Sequence, residues 1–428
     1  MKFFLSTFGC QMNLADSERI SSYLKDLDYQ PASTYSEADL VVVNMCSVRQ
    51  SAVDRIFGLI NNINKLKNPP TAILTGCFVK PDQEKFKEKF DFVVSKEDLF
   101  STLDKIAENP DSNLLFWDVK PDYKSNFEAF VPTMKGCDEY CTYCIVPYTR
   151  GLVEYRSANQ ILKQVQEAVN QNYKSVWLVG QTVNNYKGKI DSVSLDFAKL
   201  LQKVASLEGD FWLSFTSPHP KYFSNELIEV MAKNNKIRPY LNLPLQSGDD
   251  EILKKMNRSY TFQEYKKIIE KVRQSFNKYR SGLEKDLTLS TDIIVGFPGE
   301  TKEQFQNTAR ALKDISYDMV YTARYSPRPL TAATSFEDNV SYEEKKQREK
   351  ELTKIFKKTS YQHNKKYLDK TIPVLIKEFD PERKLLFGKS RSFKTVKIKN
   401  AEKDLTGQIA SVKINKIDNL GLQGQINE

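Results

Sequence analysis

Long apolar runs and histidine are both scarce in this chain of 428 residues. No stretch approaches the ~20 apolar residues that a membrane-spanning helix needs. The first apolar run starts at Phe3, is broken by Ser6, and is shorter than the core of a signal peptide. The only histidines, His219 and His363, lie far in sequence from the clustered cysteines described next. We therefore expect a cytoplasmic protein with no membrane partner, whose cysteines stay reduced.

Three of the six cysteines fall in one short segment. Cys137, Cys141 and Cys144 have the spacing C-x-x-x-C-x-x-C, which places three thiols in one loop. A structural zinc site would need a fourth ligand, and a disulfide would need an oxidising compartment, so both alternatives stay open but are not favoured. Three thiolates suit an iron–sulfur cube, because they bind three of its irons and leave one iron open. We predict a catalytic [4Fe–4S] cluster on these three cysteines.

The first ~100 residues alternate short apolar runs with helical periodicity, which predicts a parallel sheet with helices on its faces. The predicted strands lie at residues 3–8, 40–45, 71–75 and 92–94, and the predicted helices lie at residues 13–27 and 48–67. Cys10, Cys46 and Cys77 follow or end the first three strands, and the carboxyl ends of parallel strands meet at one edge of a sheet. These cysteines could therefore converge on a second iron–sulfur cluster, although three buried structural cysteines would give the same pattern.

A second series of strands and helices runs from residue 130 to about residue 327. The predicted strands lie at residues 130–134, 176–179, 211–215, 240–245, 287–295 and 319–325, and the predicted helices lie at residues 158–170, 195–207, 225–233, 262–276 and 302–312. Six such units are too few for a complete eight-unit barrel and fit a partial barrel that is open on one side. The cysteine loop follows the first of these strands, at the end where barrel enzymes carry their chemistry.

Loops after the later strands carry the residues that we predict for cofactor binding. Glycine lets the backbone approach a ligand closely, and a Gly-rich turn between a strand and a helix presents amide groups to a polar ligand. The predicted cofactor-binding residues are Gly180, Gln181, Gln246, Ser247, Asp292, Gly296 and Gly299. Arg328 follows the last strand on the same face. Ordinary turn and capping roles remain the alternative for all of them.

The C-terminal part of the chain is basic. From Tyr361 to Glu428 there are fourteen Lys and Arg against eight Asp and Glu, which accounts for most of the net charge of +9. A charged helical stretch over residues 341–369 precedes five short predicted strands, at residues 372–376, 384–387, 395–398, 407–414 and 420–426. This pattern is typical of a small β-barrel, and its charge favours nucleic acid as the partner, with a solvated lysine-rich surface as the alternative. Lys389, Arg391 and Lys394 are the predicted RNA contacts, because cations neutralise phosphates.

Taken together, these residues make the chain resemble the methylthiotransferases of the radical S-adenosylmethionine (SAM) superfamily, over nearly its whole length. The motifs that carry the resemblance lie at residues 9–13, 44–49, 75–77, 137–151, 216–220, 243–248, 292–300 and 325–329. Gln11-Met-Asn13 and Tyr148-Thr-Arg150 favour the branch that modifies isopentenylated adenosine in tRNA. The chain departs from the family pattern at residues 152–155, at Asn242 in place of histidine, and at Leu330 in place of glycine.

The resemblance implies a reaction and a set of ligands. The Cys137, Cys141 and Cys144 cluster would reduce SAM, which the predicted cofactor loops would bind, and the resulting 5′-deoxyadenosyl radical would attack the non-acidic C–H bond at carbon 2 of adenine. Cys10, Cys46 and Cys77 would bind a second [4Fe–4S] cluster that carries the sulfur. The product would be the 2-methylthio derivative of N6-isopentenyladenosine beside the anticodon of tRNA. A flavodoxin or ferredoxin would supply electrons to a monomeric enzyme.

Three other functions stay open at this point. They are methylthiolation of threonylcarbamoyladenosine in tRNA, methylthiolation of a ribosomal-protein side chain, and RNA binding by an iron–sulfur protein without turnover. All of them use the same fold class, an α/β protein of three modules. We predict an N-terminal α/β domain over residues 1–107, a linker over 108–129, a radical SAM core with a partial (βα)6 TIM-like barrel over 130–358, and a TRAM-like RNA-binding β-barrel over 359–428.

Overall fold

The structure is a computed structural model that describes residues 1–48, 50–109, 114–190 and 192–427. Arg49, in one of the family motifs, and part of the predicted linker lie outside the described residues. The chain divides into two compact units. The first comprises residues 1–125, 134–156 and 326–334, and the second comprises residues 126–133, 157–325 and 335–428. Because each unit is discontinuous in sequence, the continuous domain boundaries stay a prediction.

The N-terminal part of the first unit is a parallel sheet with helices between its strands. Its elements in chain order are β1 (Lys2–Thr7), α1 (Gln11–Asp26), β2 (Gln30–Pro31), β3 (Leu40–Cys46), α2 (Gln50–Ile63), β4 (Thr71–Cys77), α3 (Lys80–Phe86), β5 (Phe92–Val93) and α4 (Lys96–Ile106). The strands pair in the order β2-β1-β3-β4-β5, and every pairing is parallel. The predicted βα pattern is confirmed here, with α3 and α4 as helices that the periodicity did not indicate.

Strand β3 is buried along its whole length, because helices cover both faces of the sheet. Its side chains alternate between two hydrophobic cores, as the pleat requires. Leu40 and Val42 pack with Ile20 of α1, whereas Val41 and Val43 pack with side chains of α2. A strand covered on both faces needs a continuous apolar run rather than an alternating one. This run carries Cys46 to the carboxyl edge of the sheet.

The remaining strands and helices before the C-terminal barrel form the cysteine loop and a second, larger α/β layer. They are β6 (Glu128–Pro132), β7 (Met134–Lys135), α5 (Val146–Arg150), β8 (Glu154–Tyr155), α6 (Ala158–Asn170), β9 (Ser175–Val179), β10 (Lys187–Ile190), β11 (Val193–Asp196), α7 (Phe197–Ala205), β12 (Trp212–Phe215), α8 (Asn225–Lys233), β13 (Tyr240–Asn242), α9 (Asp250–Lys255), α10 (Phe262–Tyr279), β14 (Thr288–Val295), α11 (Lys302–Ile315), β15 (Met319–Arg324) and α12 (Tyr342–Asn364). Short 3-10 helices lie at Tyr35–Glu37, Val183–Asn185, Pro220–Tyr222, Gly282–Lys285, Ala332–Ser335 and Lys365–Tyr367.

Six of these strands form the predicted open barrel. Strands β6, β9 and β12 make one parallel sheet, and β13, β14 and β15 make another. A parallel bridge between Leu213 and Ile237 joins β12 to the chain just before β13. Strand β13 ends at Asn242 rather than at the predicted residue 245, because Pro244 has no amide hydrogen to donate to the ladder. The antiparallel hairpin β10–β11 was not predicted.

The C-terminal strands close into a small barrel, as predicted. They are β16 (Thr371–Asp380), β17 (Leu385–Ser390), β18 (Thr395–Lys399), β19 (Ile409–Ile417) and β20 (Leu422–Ile426). Their order around the barrel is β16-β17-β18-β20-β19. The predicted fold class is therefore confirmed in each of its three parts. In the described part of the chain, no helix combines the length and the apolar character that a bilayer crossing requires.

The small barrel is fixed to the rest of the second unit by a buried arginine. Arg238 donates from Nε to the carbonyl of Arg391 at 3.0 Å and from Nη2 to the carbonyl of Ser390 at 2.6 Å. Its guanidinium also lies 5.0 Å from the centre of the Phe393 ring. Burial lowers the pKa of Arg238 to about 9. Because these contacts satisfy a fully buried cation, the barrel is an integral part of this unit.

Candidate metal centres and cofactor loops

Cys10, Cys46 and Cys77, the first triad, come together at the carboxyl edge of the N-terminal sheet. Cys46 and Cys77 are register partners at the ends of β3 and β4. Cys10 precedes α1, and its Sγ lies 3.6 Å from Asn13 Oδ1, while the Sγ of Cys77 lies 3.8 Å from the same oxygen. The strand-end argument thus predicted their convergence correctly. Their role as cluster ligands stays a prediction.

Close packing holds this edge in place. Asn13 Nδ2 donates to Asn44 Oδ1 at 3.2 Å and to the Met45 carbonyl at 2.9 Å, which ties α1 to the end of β3. Gly9 has a φ of 135°, and a Cβ there would lie 2.9 Å from the Cβ of Cys46. Only glycine therefore lets the backbone before Cys10 approach Cys46.

Charged side chains lie buried behind the first triad. Arg150 Nη2 donates to Asn13 Oδ1 at 3.1 Å and to Asp16 Oδ2 at 3.0 Å. Lys96 Nζ donates to the same Asp16 oxygen at 3.0 Å. Although burial alone would raise the pKa of Asp16, these two cations lower it below its ordinary value. The carboxylate is therefore ionised, and it positions both cations beside the thiols.

Burial also acts on the thiols themselves. It raises the pKa of Cys46 to about 12, with a further contribution from neighbouring Cys77. It raises the pKa of Cys77 as well, against the opposing effect of Arg150. Thiolates at this position therefore depend on a positive partner, and a bound metal is the partner that displaces thiol protons.

The second triad, Cys137, Cys141 and Cys144, lies in a loop closed by a short hairpin. Strands β7 and β8 pair antiparallel, and the Cys137 amide donates to the Gly151 carbonyl at 3.2 Å. At Gly136 a Cβ would lie 2.0 Å from the Leu152 carbonyl oxygen, so a side chain there would open the hairpin. The Cys144 amide donates to the Cys141 carbonyl at 2.9 Å, which makes a tight turn between the last two thiols. Helix α5 begins two residues later.

A zinc ion and an iron–sulfur cube need different arrangements of their thiolate ligands. Among the described residues, no three Cys, His, Asp or Glu side chains converge closely enough to hold a single ion. Zinc would need all of its ligands about 2.3 Å or less from one point. In an iron–sulfur cube each thiolate binds a different iron, so the sulfurs lie further apart. An iron–sulfur cube, rather than a single zinc ion, stays the prediction for both triads.

Four of the seven predicted cofactor-binding residues, Gly180, Gln181, Gln246 and Asp292, lie in or beside strands β9 and β14. Gly180 and Gln181 directly follow β9, and Gln181 Oε1 is buried without a hydrogen-bond donor among the described residues. Gln246 exchanges two backbone hydrogen bonds with β14, with its amide donating to the Asp292 carbonyl at 2.9 Å. Asp292 Oδ2 accepts a hydrogen bond from Asn242 Nδ2 at 3.0 Å. The asparagine that stands in place of the family's histidine therefore contacts a predicted cofactor-binding residue.

The other three predicted cofactor-binding residues, Ser247, Gly296 and Gly299, have polar partners within the protein. Ser247 is fully buried, and its hydroxyl lies 3.3 Å from that of Thr308 in α11. The Gly296 amide donates to Glu300 Oε2 at 2.7 Å, and the Gly299 amide donates to Asn339 Oδ1 at 3.1 Å. These contacts stabilise the turn between β14 and α11. SAM binding by the seven residues stays a prediction, and Gln181 with its unsatisfied oxygen is the strongest member.

All three predicted RNA contacts have partners within the protein. Lys394 is buried and donates to Asp318 Oδ1 at 2.6 Å. Arg391 pairs with Glu284 at 2.6 Å. Lys389 donates to Thr395 Oγ1 at 2.8 Å, and burial lowers its pKa to about 8. Lys394 therefore packs inside the second unit, and RNA binding by Lys389, Arg391 and Lys394 stays a prediction.

The loop after β15 contributes to the first unit. Arg328 Nη1 donates to Gln50 Oε1 at 2.9 Å, although the two residues are 278 positions apart. Leu330, which replaces the family's usual glycine, has a φ of 67° and an exposed side chain. Its backbone thus adopts the left-handed conformation that glycine favours.

Asn13, Asp16, Lys96 and Arg150 were not among the residues predicted for the sites. The motifs at Gln11–Asn13 and Tyr148–Arg150 did mark two of them as features of the family, although not as neighbours of the first triad. Asp16 and Lys96 are 80 positions apart, and no sequence pattern connects them.

Comparisons with known proteins agree with this geometry. Residues 131–312 match the Radical SAM superfamily, and residues 2–95 match the Uncharacterized protein family UPF0004. The structure of the radical SAM methyltransferase TsrM from Kitasatospora setae, with cobalamin and a [4Fe-4S] cluster bound, is similar with a TM-score of 0.55 at 14% identity, over 78% of this chain and 76% of that one. The cobalamin-dependent SAM radical enzyme OxsB has a TM-score of 0.52 at 12% identity, over 82% of this chain and 56% of that one. The fold is thus that of a radical SAM protein with an additional N-terminal domain.

Relatives that match nearly the whole chain identify the family within the radical SAM superfamily. A tRNA-2-methylthio-N(6)-dimethylallyladenosine synthase from Dictyoglomus thermophilum is 37% identical over 444 residues, which cover 99% of this chain and 98% of the relative. Its counterpart from a Sulfurihydrogenibium species is 36% identical and covers 100% of this chain and 99% of the relative. This chain belongs to the tRNA-2-methylthio-N(6)-dimethylallyladenosine synthase family.

Proposed function

We propose that this chain is a radical SAM methylthiotransferase, which converts N6-isopentenyladenosine beside the anticodon of tRNA to its 2-methylthio derivative. The observation that carries the proposal is the presence of two separate cysteine triads in one compact unit. A SAM-cleaving enzyme needs one open-iron cluster, and a second triad at a sheet edge offers a place for the sulfur. Full-length similarity to enzymes named for this tRNA product supports the substrate.

The two triads have different surroundings, which suits different roles. The second triad would hold a [4Fe–4S] cluster from a short loop with an open fourth position, and when bound there the cluster supplies the electron that cleaves SAM. The first triad would hold a second cluster at the end of a buried sheet, next to two cations. Gln181 and Gln246, which follow two strands of the open barrel, are placed at strand ends where a SAM molecule would be oriented.

Transfer RNA is the substrate that this family membership supports. The basic C-terminal barrel supplies positive charge for its phosphates, and phosphate contacts position a nucleic acid without reading its sequence. A flavodoxin or ferredoxin as electron donor, a monomeric state and a cytoplasmic location remain part of the proposal.

Mass spectrometry of tRNA nucleosides tests the substrate directly. In a strain without this gene, we expect 2-methylthio-N6-isopentenyladenosine to disappear and N6-isopentenyladenosine to accumulate. The wild-type gene should restore the product, Cys141→Ala should not, and Ser194→Ala on the exposed β10–β11 hairpin should restore it fully. Loss of a threonylcarbamoyladenosine derivative or of a ribosomal-protein modification instead would assign the other branch, and no change in any of the three would refute the enzyme function.

A further inference from the structure

Arg150 occupies an unusual position for a surface-prone residue. Its side chain is only 3% exposed, and one guanidinium nitrogen, Nη2, is held by Asn13 and Asp16. The other nitrogen, Nη1, is buried and has no acceptor among the described residues. A buried N–H of a charged group without an acceptor costs several kcal/mol. Such a group therefore indicates a missing ligand with a negatively charged or polar acceptor.

The charges around the first triad point to the kind of ligand. Arg150 and Lys96 carry two positive charges, and Asp16 carries one negative charge, so the buried side chains next to the thiols have an excess of one positive charge. Asn13 connects this group to the sulfurs, since its Oδ1 is near Cys10 and Cys77 and also accepts from Arg150. An excess positive charge in a buried site is balanced by an anion. Three thiolates on an iron–sulfur cube make such an anion.

Arg150 is also linked to the second triad through the chain. Helix α5 starts two residues after Cys144 and ends at Arg150. The next residue, Gly151, accepts the hydrogen bond from the Cys137 amide that closes the second loop. One short segment therefore both shapes the second triad and brings a cation to the first.

We propose that Arg150 is a positioning residue for the first triad, where its guanidinium balances the charge of an anionic iron–sulfur cluster and its Nη1 donates a hydrogen bond to a cluster sulfur. This inference rests on the proposed function, because it requires that the first triad bind a cluster. A nearby positive charge and an N–H···S hydrogen bond both favour the reduced, more negative cluster. Arg150 therefore raises the reduction potential of the first-triad cluster.

An electrochemical titration of the full-length protein tests this inference. Changing Cys137, Cys141 and Cys144 together to alanine removes the second triad, so that any remaining cluster signal belongs to the first. In this background we expect iron and sulfide to remain, and Arg150→Gln to move the midpoint potential, followed by electron paramagnetic resonance, to a more negative value. Arg150→Lys, which keeps the charge, should lie between Arg150→Gln and the parent.

Arg19→Gln is the matched control, because Arg19 is a buried arginine of the same unit that donates to the Ala15 carbonyl and lies over Trp117. Its potential should move by less than that of Arg150→Gln, because Arg19 interacts electrostatically with Tyr123, Asp16 and Glu18, whereas Arg150 interacts with the thiols of Cys77 and Cys10. Asp16 keeps Lys96 as its partner when Arg150 is replaced. If Arg150→Gln does not fold, Arg150→Lys serves in its place, and the loss of the second guanidinium nitrogen should still give a potential more negative than that of the parent.

The outcomes separate the two claims. If the triple alanine protein binds no iron, the second cluster of the proposed function is wrong. If it binds iron but Arg150→Gln leaves the potential unchanged, the role of Arg150 is wrong and the cluster stands. Equal shifts in Arg150→Gln and Arg19→Gln would also overturn the role, since they would reflect a general loss of packing.

Discussion

Asn13 illustrates how much depends on single side chains at the first triad. Its carbonyl oxygen lies near two thiols and one guanidinium, and its amide donates to the end of β3. Each buried hydrogen bond of this kind contributes about 1 kcal/mol, and leaving a partner unsatisfied costs about 1–3 kcal/mol. A small polar residue in the first turn of α1 thus connects Cys10, Cys77 and the end of β3.

The separate surroundings of the two triads lead to a prediction for single cysteines. Cys141→Ala should abolish reductive SAM cleavage, because the open-iron cluster loses a ligand. Cys46→Ala should leave 5′-deoxyadenosine formation largely intact and remove sulfur insertion. Anaerobic assays of 5′-deoxyadenosine and of methylthiolated tRNA measure the two activities side by side. Equal loss of 5′-deoxyadenosine in both variants would contradict the division of roles.

At this scale the sequence predicts the cysteines and little of their polar environment. Spacing identified all three members of the second triad, and the position at strand ends identified the first. Lys96 and Arg150 were not predicted as site residues, because they reach the site through ion pairs with Asp16 that span 80 and 134 positions. The ion pair of Lys394 could not be predicted for the same reason, since its partner Asp318 lies 76 positions away.

A buried ion pair between Lys394 and Asp318 connects two secondary-structure elements, because Lys394 directly precedes β18 and Asp318 directly precedes β15. Burial alone would raise the pKa of Asp318, but Lys394 and His363 lower it below its ordinary value. Because the folded pKa lies below the unfolded value of about 3.9, ionised Asp318 contributes stability above about pH 4. Burial lowers the pKa of Lys394 and offsets part of this contribution at neutral pH. This contribution is lost as the pH falls through the folded pKa.

Asp318→Asn should therefore destabilise the protein by about 3–5 kcal/mol at pH 7, since Lys394 would stay buried without its counter-charge. The loss should be smaller near pH 3, and Lys394→Met in the same chain should recover most of it. Urea unfolding at the two pH values measures both effects. Asp314→Asn, which breaks an exposed pair with Lys266, should cost less than about 1 kcal/mol. Similar losses in the two aspartate variants would rule out a stabilising role for the buried pair.

The outer face of the small barrel carries lysines that would reach RNA phosphates more readily than Lys389, Arg391 and Lys394 would. Strands β18, β20 and β19 are neighbours, and Lys397 and Lys416 are both register partners of Gln423. Lys413 is exposed and pairs in register with Gln425 on the same face. The three cations lie on β18 and β19, on the two sides of β20, and present positive charge that would match the phosphate backbone of an RNA.

Changing Lys397, Lys413 and Lys416 to alanine should weaken tRNA binding and flatten its salt dependence. Each lost phosphate contact should reduce the slope of log affinity against log salt by about 0.7–0.9. Fluorescence anisotropy over a salt series gives the slope. Lys199→Ala, Lys203→Ala and Lys163→Ala, on helices away from the barrel in sequence, form the control with the same change in charge. If both triple variants lower the slope equally, only net charge matters and the barrel face has no special role.

Strand and helix positions followed well from periodicity, because apolar runs and helical faces are local signals. Helix α8 begins and ends at the predicted residues, and the five barrel strands are all present. The prediction failed where a single residue interrupts a ladder, as Pro244 does at β13, and where strands of only four residues are too short to show a clear alternation, as in hairpin β10–β11.

For the whole molecule, two triads predict two clusters. Anaerobic reconstitution should give about eight irons per chain. Changing Cys10, Cys46 and Cys77 to alanine should leave about half of that iron, as should the same change at the second triad. Iron and acid-labile sulfide assays, with a visible absorption spectrum, measure the content. Wild-type protein that holds only four irons would refute the second cluster.

Removing the barrel at residue 369 would be a poor test of its function. Lys377 of β16 pairs with Glu128 of β6 at 2.7 Å, and Leu375 packs with Phe127 and Trp212 of the same unit. Deletion would expose these apolar side chains and leave Glu128 without its cation. Surface substitutions on the barrel therefore separate RNA binding from stability, whereas truncation does not.

The interleaved sequence of the first unit has a consequence for how the protein is made. Its last segment, residues 326–334, is synthesised when about three quarters of the chain has left the peptidyl-transferase centre. Contacts over such separations form late in folding, because a long loop must close first. The cysteine-bearing unit is therefore completed only after about three quarters of the chain has been synthesised, and cofactor delivery in the cell can meet the complete unit only from that point on.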